Sequence, residues 1–243
     1  MRIDFYNMKN FEQIKVIQND LHNRLGTNIL HVLNGEEMLK IFTENGLMQV
    51  GDFIPFNEAM CYGPSSKTIY SEEFIEIRSD VHRVSKQEYR NHVVEPFTPL
   101  KEQNYAGIIL WFGSDMFCQI NLLTLLAYLS QIDYQGQIIF HLIDEHAYEV
   151  EVIKITNNHY QKIYEQVVIQ HTTPEEEMFP VLAEGVKLYL HYQQPNNELT
   201  QYIRAHSNLD TKELLTKLFI TFPHYRLGDI QYMQLIQSER SST

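Results

Sequence analysis

The sequence predicts an α/β fold: a small, mostly parallel, Rossmann-like sheet flanked by helices, with an all-helical C-terminal region. Residues 28–33, 106–112 and 137–143 form largely apolar runs of strand length without strict alternation, a pattern typical of strands buried on both faces. The first two runs are each followed by a short turn and a helical pattern, as in βαβ units. We therefore divide the chain into an N-terminal helical extension (1–27), an α/β domain (28–155) and a helical C-terminal region (156–243).

The N-terminal extension is expected to begin with a short extended segment and to continue as a helix that ends at Gly26. Its apolar residues recur on one helical face: Phe11, Ile14, Ile17, Leu21 and Leu25. The first strand, residues 28–33, leads through Asn34-Gly35 into a helix that closes at Asn45-Gly46. Residues 50–56 predict a weaker strand, because Pro55 lacks a backbone donor and favours a strand end or an edge.

The segment between this strand and the centre of the chain is predicted to be a loop, then helix, then linker. Residues 57–68 read as a loop, and residues 71–93 as one or two surface helices that begin at Ser71. Residues 95–104 contain two prolines, from which we expect a linker back to the sheet.

The central unit spans residues 105–132. The strand at 106–112 stops at Gly113-Ser114-Asp115, and the helix that follows is apolar nearly all round, so we expect it to be buried. Residues 137–143 predict another buried strand, and residues 149–155 an edge strand or hairpin arm.

The C-terminal region is expected to be helical throughout. We predict a short helix over 160–168, a second one opened by Thr173-Pro174 and running to about Gln193, and shorter helices over 198–206, 211–222 and 229–237. The last six residues are expected to be disordered.

Composition excludes several classes of protein. The 243 residues include 19 basic and 31 acidic side chains, a formal charge of −12, which opposes binding to nucleic acid or to an anionic membrane surface. No segment is long and apolar enough to cross a bilayer or to act as a signal peptide. The two cysteines fit a reducing compartment, so we expect a cytoplasmic protein of undetermined oligomeric state.

Three spaced motifs give the chain a resemblance to a family of uncharacterised bacterial proteins, one of the domains of unknown function. The motifs of that family look like His-x-x-Asn-Gly-Asp, Glu-x-x-x-x-Gly-Pro and Leu-Trp-Phe-x-x-Asp-x-x-x-Gln-x-x-x-Leu. The corresponding residues are His31, Asn34, Gly35 and Glu36; Glu58, Gly63 and Pro64; and Leu110, Trp111, Phe112, Asp115, Gln119 and Leu123. The chain departs from the family at Glu36, where Asp is usual, and at Gly113, where an acid is usual.

The candidate site lies where the parallel strands end, because their carboxyl ends meet at one edge of the sheet. The loops there bring Asn34, Glu36, Glu58, Asp115 and Asp144 toward one crevice. We take Glu58 and Asp115 as candidate catalytic carboxylates. The candidate ligand-binding residues, several of them implied by the family resemblance, are His31, Asn34, Gly35, Glu36, Gly63, Ser114 and Gln119.

Each of these residues also has a structural interpretation. Glu58 stands in an apolar loop, where burial would raise the pKa of its carboxyl and suit it to acid/base chemistry, or it is a solvated loop glutamate. Asp115 is equally a helix cap. The sulfur of Cys118 lies near a helix N-terminus, which can stabilise a thiolate, but a buried inert cysteine is the stronger interpretation for Cys118 and for Cys61.

These observations lead to two hypotheses on function. The first is binding of a small polar or anionic metabolite at the strand-end crevice, where turn amides and a helix N-terminus can hold an anion, with hydrolysis or group transfer assisted by Glu58 and Asp115. The second is a non-enzymatic module that docks a partner protein or acts in regulation. Neither a metal-ligand pattern nor a nucleotide fingerprint is present, so no metal is expected and the cofactor is undefined.

Overall fold

The computed structural model describes residues 8–102, 105–144, 149–156 and 159–241, and a five-stranded sheet forms its centre. The strands are β1 (Ile29–Leu33), β2 (Asp52–Pro55), β3 (Gly107–Gly113), β4 (Gln137–Asp144) and β5 (Glu149–Ile155). Their order is β2-β1-β3-β4-β5; the first four run parallel, and β5 is antiparallel to β4 at the edge. The predicted α/β fold with a mostly parallel sheet is therefore confirmed.

The strand order creates a point where the chain changes direction across the sheet. From β1 the chain moves to β2 on one side, whereas β3 pairs with the other side of β1. The order 2-1-3-4-5 is that of flavodoxin-like doubly wound sheets, although their last strand is parallel. Open α/β sheets bind ligands outside the carboxyl ends of the strands at this point, which here lies between β1 and β3.

Helices cover both faces of the sheet. They are α1 (Met8–Leu25), α2 (Glu36–Glu44), α3 (Glu72–His82), α4 (Lys86–Tyr89), α5 (Thr98–Glu102), α6 (Met116–Gln131), α7 (Tyr160–Tyr164), α8 (Pro180–Tyr192), α9 (Glu198–Ala205), α10 (Thr211–Thr221) and α11 (Asp229–Ser241). Arg90–Val94 and Glu165–Ile169 are π-helical, and Glu95–Phe97 is a 3₁₀ turn. No helix within the described ranges is long and apolar enough to cross a membrane.

One face of the sheet packs against α1 and α2 through a compact apolar cluster, to which the predicted face of α1 contributes Ile14 and Leu21. The opposite face packs against α6, whose residues from Ile120 to Leu129 are buried on every side, as its uniform hydrophobicity predicts. At Gly185, α8 passes so near α6 that an added Cβ would stand 2.4 Å from the Cβ of Gln119. The apolar core runs without interruption from Leu30 in β1 to Ile236 in α11.

The prediction of a linker over residues 95–104 is wrong. Residues 95–97 form the 3₁₀ turn and residues 98–102 form α5. Pro96 and Pro99 both stand in first turns, where proline costs no intrahelical hydrogen bond. Residues 103–104 lie outside the described residues, as do residues 1–7, which were expected to begin extended.

Two predictions for the C-terminal region are also wrong. The helix expected from Thr173 begins only at Pro180, the first residue of α8. A helix begun at Thr173 would place Pro180 in its interior, where its ring clashes with the preceding turn. The tail expected to be disordered continues α11 as far as Ser241, because Arg240 donates to Thr211 Oγ1 at 2.8 Å and to Leu209 O at 2.5 Å. Residues 242–243 lie outside the described residues.

Candidate functional site

A crevice of about 380 Å³ opens at the carboxyl ends of β1, β3 and β4. The turns after the strands supply Asn34 and Asp115, the last residue of β3 is Gly113, and the penultimate residue of β4 is Ile143. The site therefore lies at the place that the strand order selects, and two of the predicted site residues, Asn34 and Asp115, line it.

The Asn34 side chain is fixed by a buried polar network. Its Nδ2 donates to Cys118 Sγ at 2.9 Å, and its Oδ1 accepts from Asn121 Nδ2 at 3.0 Å. Asn121 also donates to Glu58 O at 2.7 Å and accepts from Met60 N at 3.0 Å. Asn121 is fully buried in α6, so it ties the turn after β1 to the loop after β2.

Asp115 is the N-cap of α6, since its Oδ1 accepts from Cys118 N at 2.8 Å. The other amides of that first turn are also bonded: Met116 N donates to His224 O at 2.9 Å, and Phe117 N donates to Tyr225 O at 3.3 Å. The first turn of α6 therefore does not supply the anion-binding amides expected from the sequence, because the segment between α10 and α11 occupies two of its donors.

The same segment brings a guanidinium to the crevice. Arg226 lines it, with Nη1 4.0 Å from Asp115 Oδ2 and 27% of the side chain exposed. Arg226 adopts a left-handed backbone conformation, with φ of 50°. The chain turns there, after the two carbonyls that accept from α6 and before Gly228, which lines the crevice. The positive charge expected from helix amides is therefore supplied by a side chain.

The remaining wall of the crevice is mainly apolar. Met38 and Ile41 face it from α2, Phe117 faces it from α6, and Ile143 closes the β4 side. Glu37 adds a carboxylate at the exposed rim. A concave, largely apolar site with a few placed polar groups is the usual form of a small-molecule site.

Cys118 reaches the crevice as a protonated thiol. Burial, the carboxylate of Asp115 and the hydrogen bond with it raise the pKa of the Cys118 thiol well above its usual value, while Arg226 opposes the shift. Burial likewise raises the pKa of Cys61 to about 12. A thiol needs its thiolate form to act as a nucleophile, so the structure favours the inert interpretation of both cysteines.

Glu58 does not line the crevice, and the expected rise in its pKa is wrong. Its side chain is buried and accepts from Arg78 Nε at 2.7 Å, Arg78 Nη2 at 2.9 Å, Tyr89 Oη at 2.7 Å and Ala59 N at 2.9 Å, as well as contacting His82 Nε2. Burial alone would raise the pKa of the Glu58 carboxyl, but the charges and hydrogen bonds of Arg78 and His82 hold it well below its usual range. Glu58 is therefore a fully paired carboxylate.

His31 lies inside the sheet layer rather than in the crevice. It is fully buried between Phe53, stacked at 4.2 Å, and Trp111, whose Nε1 donates to His31 Nδ1 at 2.9 Å. Burial and the neighbouring His141 lower the pKa of His31 to about 3, although a hydrogen bond with the backbone of Val50 acts to raise it. The ring is thus a neutral core side chain.

The other predicted ligand-binding residues surround the crevice without lining it. Gly35, with φ of 91°, begins α2, and Glu36 in its first turn accepts from Asn57 Nδ2 at 3.3 Å. Gln119 donates to Gly113 O at 2.6 Å, and Ser114 is exposed in the turn.

Gly63 lies elsewhere, in a separate cavity with Tyr62 and Tyr192. The side chain of Asp144 lies outside what the structure describes. Of the predicted site residues, Asn34 and Asp115 are the two that line the crevice.

No family model, no curated protein and no solved structure matches this chain. The resemblance to an uncharacterised bacterial family stays a prediction that rests on the motifs alone. Within the described ranges, no group of three His, Cys, Asp or Glu side chains is placed to hold a metal ion.

Sequence reasoning missed Arg226, Asn121 and Arg78. For Arg78 a signal exists: it shares a helical face with Phe74 and Ile75, and a cation on an apolar face calls for a buried acidic partner. Asn121 likewise interrupts the apolar helix. Arg226 carries no local signal, because its place follows from how the segment after α10 crosses the start of α6.

Proposed function

We propose that this chain binds a small molecule with an apolar body and an anionic group, such as a carboxylate, in the crevice. The observation that carries the proposal is the pairing of Arg226 with the apolar wall of Met38, Ile41 and Phe117 in one concave site. The anionic group approaches Arg226, whose planar guanidinium matches a carboxylate or phosphate. The amide of Asn34 adds direction to this contact.

Binding is better supported than hydrolysis or group transfer. The carboxylate of Glu58 already accepts hydrogen bonds from Arg78, Tyr89 and His82. The raised pKa of the Cys118 thiol keeps its sulfur protonated. Asp115 Oδ1 serves as the helix cap. The crevice residues thus offer recognition, whereas an activated nucleophile is not among the described side chains that line it.

The direct test is a thermal-shift panel of carboxylates and phosphates, including benzoate. A ligand at about 100 times its Kd stabilises the folded protein by about 2.7 kcal/mol. Arg226→Met should abolish the response to a hit without adding backbone strain, since both residues have a Cβ. Lys187→Met, which removes an exposed charge from α8, should leave the response unchanged.

The direction in which a second variant changes ligand affinity separates anionic from cationic ligands. Asp115→Asn keeps a good cap but removes a negative charge 4.0 Å from Arg226. An anionic ligand should bind Asp115→Asn as well as or better than wild type. Hits that persist in Arg226→Met, or that are all lost in Asp115→Asn, would overturn the proposal.

A further inference from the structure

A second cavity, of about 460 Å³, lies beside the loop after β2 and shares no lining residue with the crevice. Asn57, His82, Tyr89, Asn91 and His92 contribute to its wall. Two of them, Asn91 and His92, belong to a π-helical segment, a rare form that recurs at functional sites. Asn57 Nδ2 donates to His92 O at 3.1 Å, which anchors this wall to the sheet edge.

Glu58 stands directly behind His82. Its side chain is completely buried, and Arg78 keeps it ionised through two charged hydrogen bonds. An ionised carboxylate only accepts hydrogen bonds, so the bond between His82 Nε2 and Glu58 Oε1 requires the proton to lie on Nε2. In the neutral form of the ring, Nδ1 is then the acceptor.

The His82 ring forms part of the cavity wall. The His82 side chain is 30% exposed and lines the cavity. Within the described part of the chain, its Nδ1 takes part in no hydrogen bond. A histidine oriented by a buried carboxylate, with its other nitrogen presented to a cavity, is an arrangement that serves proton acceptance and ligand recognition.

We propose that this cavity binds a neutral small molecule bearing a hydroxyl group, whose hydrogen is donated to His82 Nδ1. Glu88 lines the cavity and repels anions, and its Oε2 already accepts from Ser85 N and Ser85 Oγ. An uncharged hydroxyl suits the cavity because it can donate to His82 Nδ1 and accept from the side-chain amide of Asn91. Glu58 acts through His82 and is a positioning residue. This site and the crevice succeed or fail independently, because their walls have no residue in common.

The tautomer is tested first, by nitrogen NMR of ¹⁵N-histidine-labelled protein at about pH 8.5, above the usual histidine pKa of about 6.5. The His82 signals, identified by their loss in His82→Phe, should show Nε2 protonated and Nδ1 unprotonated. Glu58→Gln, whose amide both donates and accepts, should yield a mixture of tautomers. A wild-type ring protonated at Nδ1 would overturn the proposal whether or not Glu58→Gln folds.

The ligand class is tested by titrating phenol and its methyl ether, anisole, which keeps the aromatic ring and the oxygen but lacks the hydroxyl donor. Phenol should bind roughly fivefold tighter, the value of one neutral hydrogen bond, and should move the His82 nitrogen signals. His82→Phe should abolish this preference, whereas His22→Phe, which alters an exposed residue of α1 outside the cavity, should keep it. Equal binding of the two probes to wild type, or a preference that survives in His82→Phe, would contradict the assignment.

Discussion

The carboxylate of Asp115 meets two neighbours that respond differently to substitution. Oδ1 caps α6 through Cys118 N at 2.8 Å, and Oδ2 faces Arg226 at 4.0 Å. The cap is the stronger contact, since it is a short bond to a buried amide and the ion pair is loose. Stability should therefore follow capping ability rather than charge.

Asp115→Ala should lower the free energy of unfolding by about 1 kcal/mol, whereas Asp115→Asn should stay near wild type, because Asn caps helices as well as Asp. Urea unfolding of the two variants measures both effects. Equal losses in the two variants would show that the charge, and not the cap, carries the contribution.

A row of stacked rings crosses the face of the sheet toward α1 and α2. His141 stacks on Trp111 at 4.5 Å and 17°, and neither of its ring nitrogens has a hydrogen-bond partner among the described residues. Burial, aided by Arg24, lowers the pKa of His141 to about 4, and that of the similarly buried His31 is about 3. Unfolding exposes both rings to water, where they take up protons at about pH 6.5.

Acid should therefore destabilise the fold as the pH falls from about 6.5 toward 4. In that window the unfolded chain binds more protons than the folded one, by up to two from these rings, so stability falls by as much as about 1.4 kcal/mol per pH unit for each histidine. His141→Phe keeps the stacked ring without the titrating nitrogens. It should be more stable than wild type at about pH 5. The slope of its unfolding free energy against pH should be smaller, by the equivalent of about one bound proton.

The matched control is His31→Phe, which removes a titrating ring but also leaves Trp111 Nε1 without its bond to His31 Nδ1. It should flatten the slope in the same way while losing stability near neutral pH. Urea unfolding at a series of pH values measures these slopes. An unchanged slope of unfolding free energy against pH in His141→Phe would contradict the assignment of a neutral buried ring.

At the scale of elements, the Glu58 cluster joins the loop after β2 to α3 and α4. Arg78 donates to Glu58 and also to the carbonyls of Ala59, Tyr62 and Pro64, at 2.7 to 3.1 Å. Arg78 is fully buried, so its loss leaves the buried Glu58 carboxylate without its counter-ion and three carbonyl groups without their donor. Such losses cost more than a paired charge contributes.

Arg78→Met should destabilise the protein by about 3 kcal/mol or more, because breaking a buried pair leaves an uncompensated charge. The double variant Arg78→Met/Glu58→Gln should recover part of that loss, since it removes the charge as well. Thermal or urea unfolding compares the two. A double variant less stable than Arg78→Met would contradict the view that the stranded charge is the main cost.

What could be predicted from sequence divides along local and long-range lines. The strands, the buried α6 and the caps at Ser71 and Asp115 follow from neighbouring residues, and the structure confirms them. Asn34 was placed correctly because it directly follows a strand end. The pairing of Glu58 does not follow from local sequence, because its counter-ion lies 20 positions away, in α3. The start of α8 is set by Pro180 rather than by Pro174.

At the scale of the whole molecule, the C-terminal helices share one core with the sheet. Leu182 and Val186 of α8 belong to the same apolar cluster as the β strands and α6, and the segment after α10 supplies Arg226 to the crevice. The crevice is incomplete without the segment after α10, and α6 is incompletely buried without α7 and α8. The boundary drawn at residue 155 thus separates regions of sequence that depend on one core.

A fragment of residues 1–155 should therefore fail to unfold cooperatively, because it exposes the face of α6 that α7 and α8 cover. Thermal unfolding monitored by near-ultraviolet circular dichroism should show a sharp transition for the full chain and none for the fragment. A sharp transition in the fragment would show that the α/β region is stable alone.

The measurement that tests the central claim most directly is methyl NMR of ¹³C-methionine-labelled protein titrated with benzoate, a carboxylate on an apolar ring. Met38 lines the crevice, whereas Met178 packs against the core elsewhere. The Met38 methyl signal should move saturably, that of Met178 should stay in place, and the Met38 response should be lost in Arg226→Met. A Met38 signal that does not move, or that moves equally in Arg226→Met, would contradict the crevice as an anion-binding site.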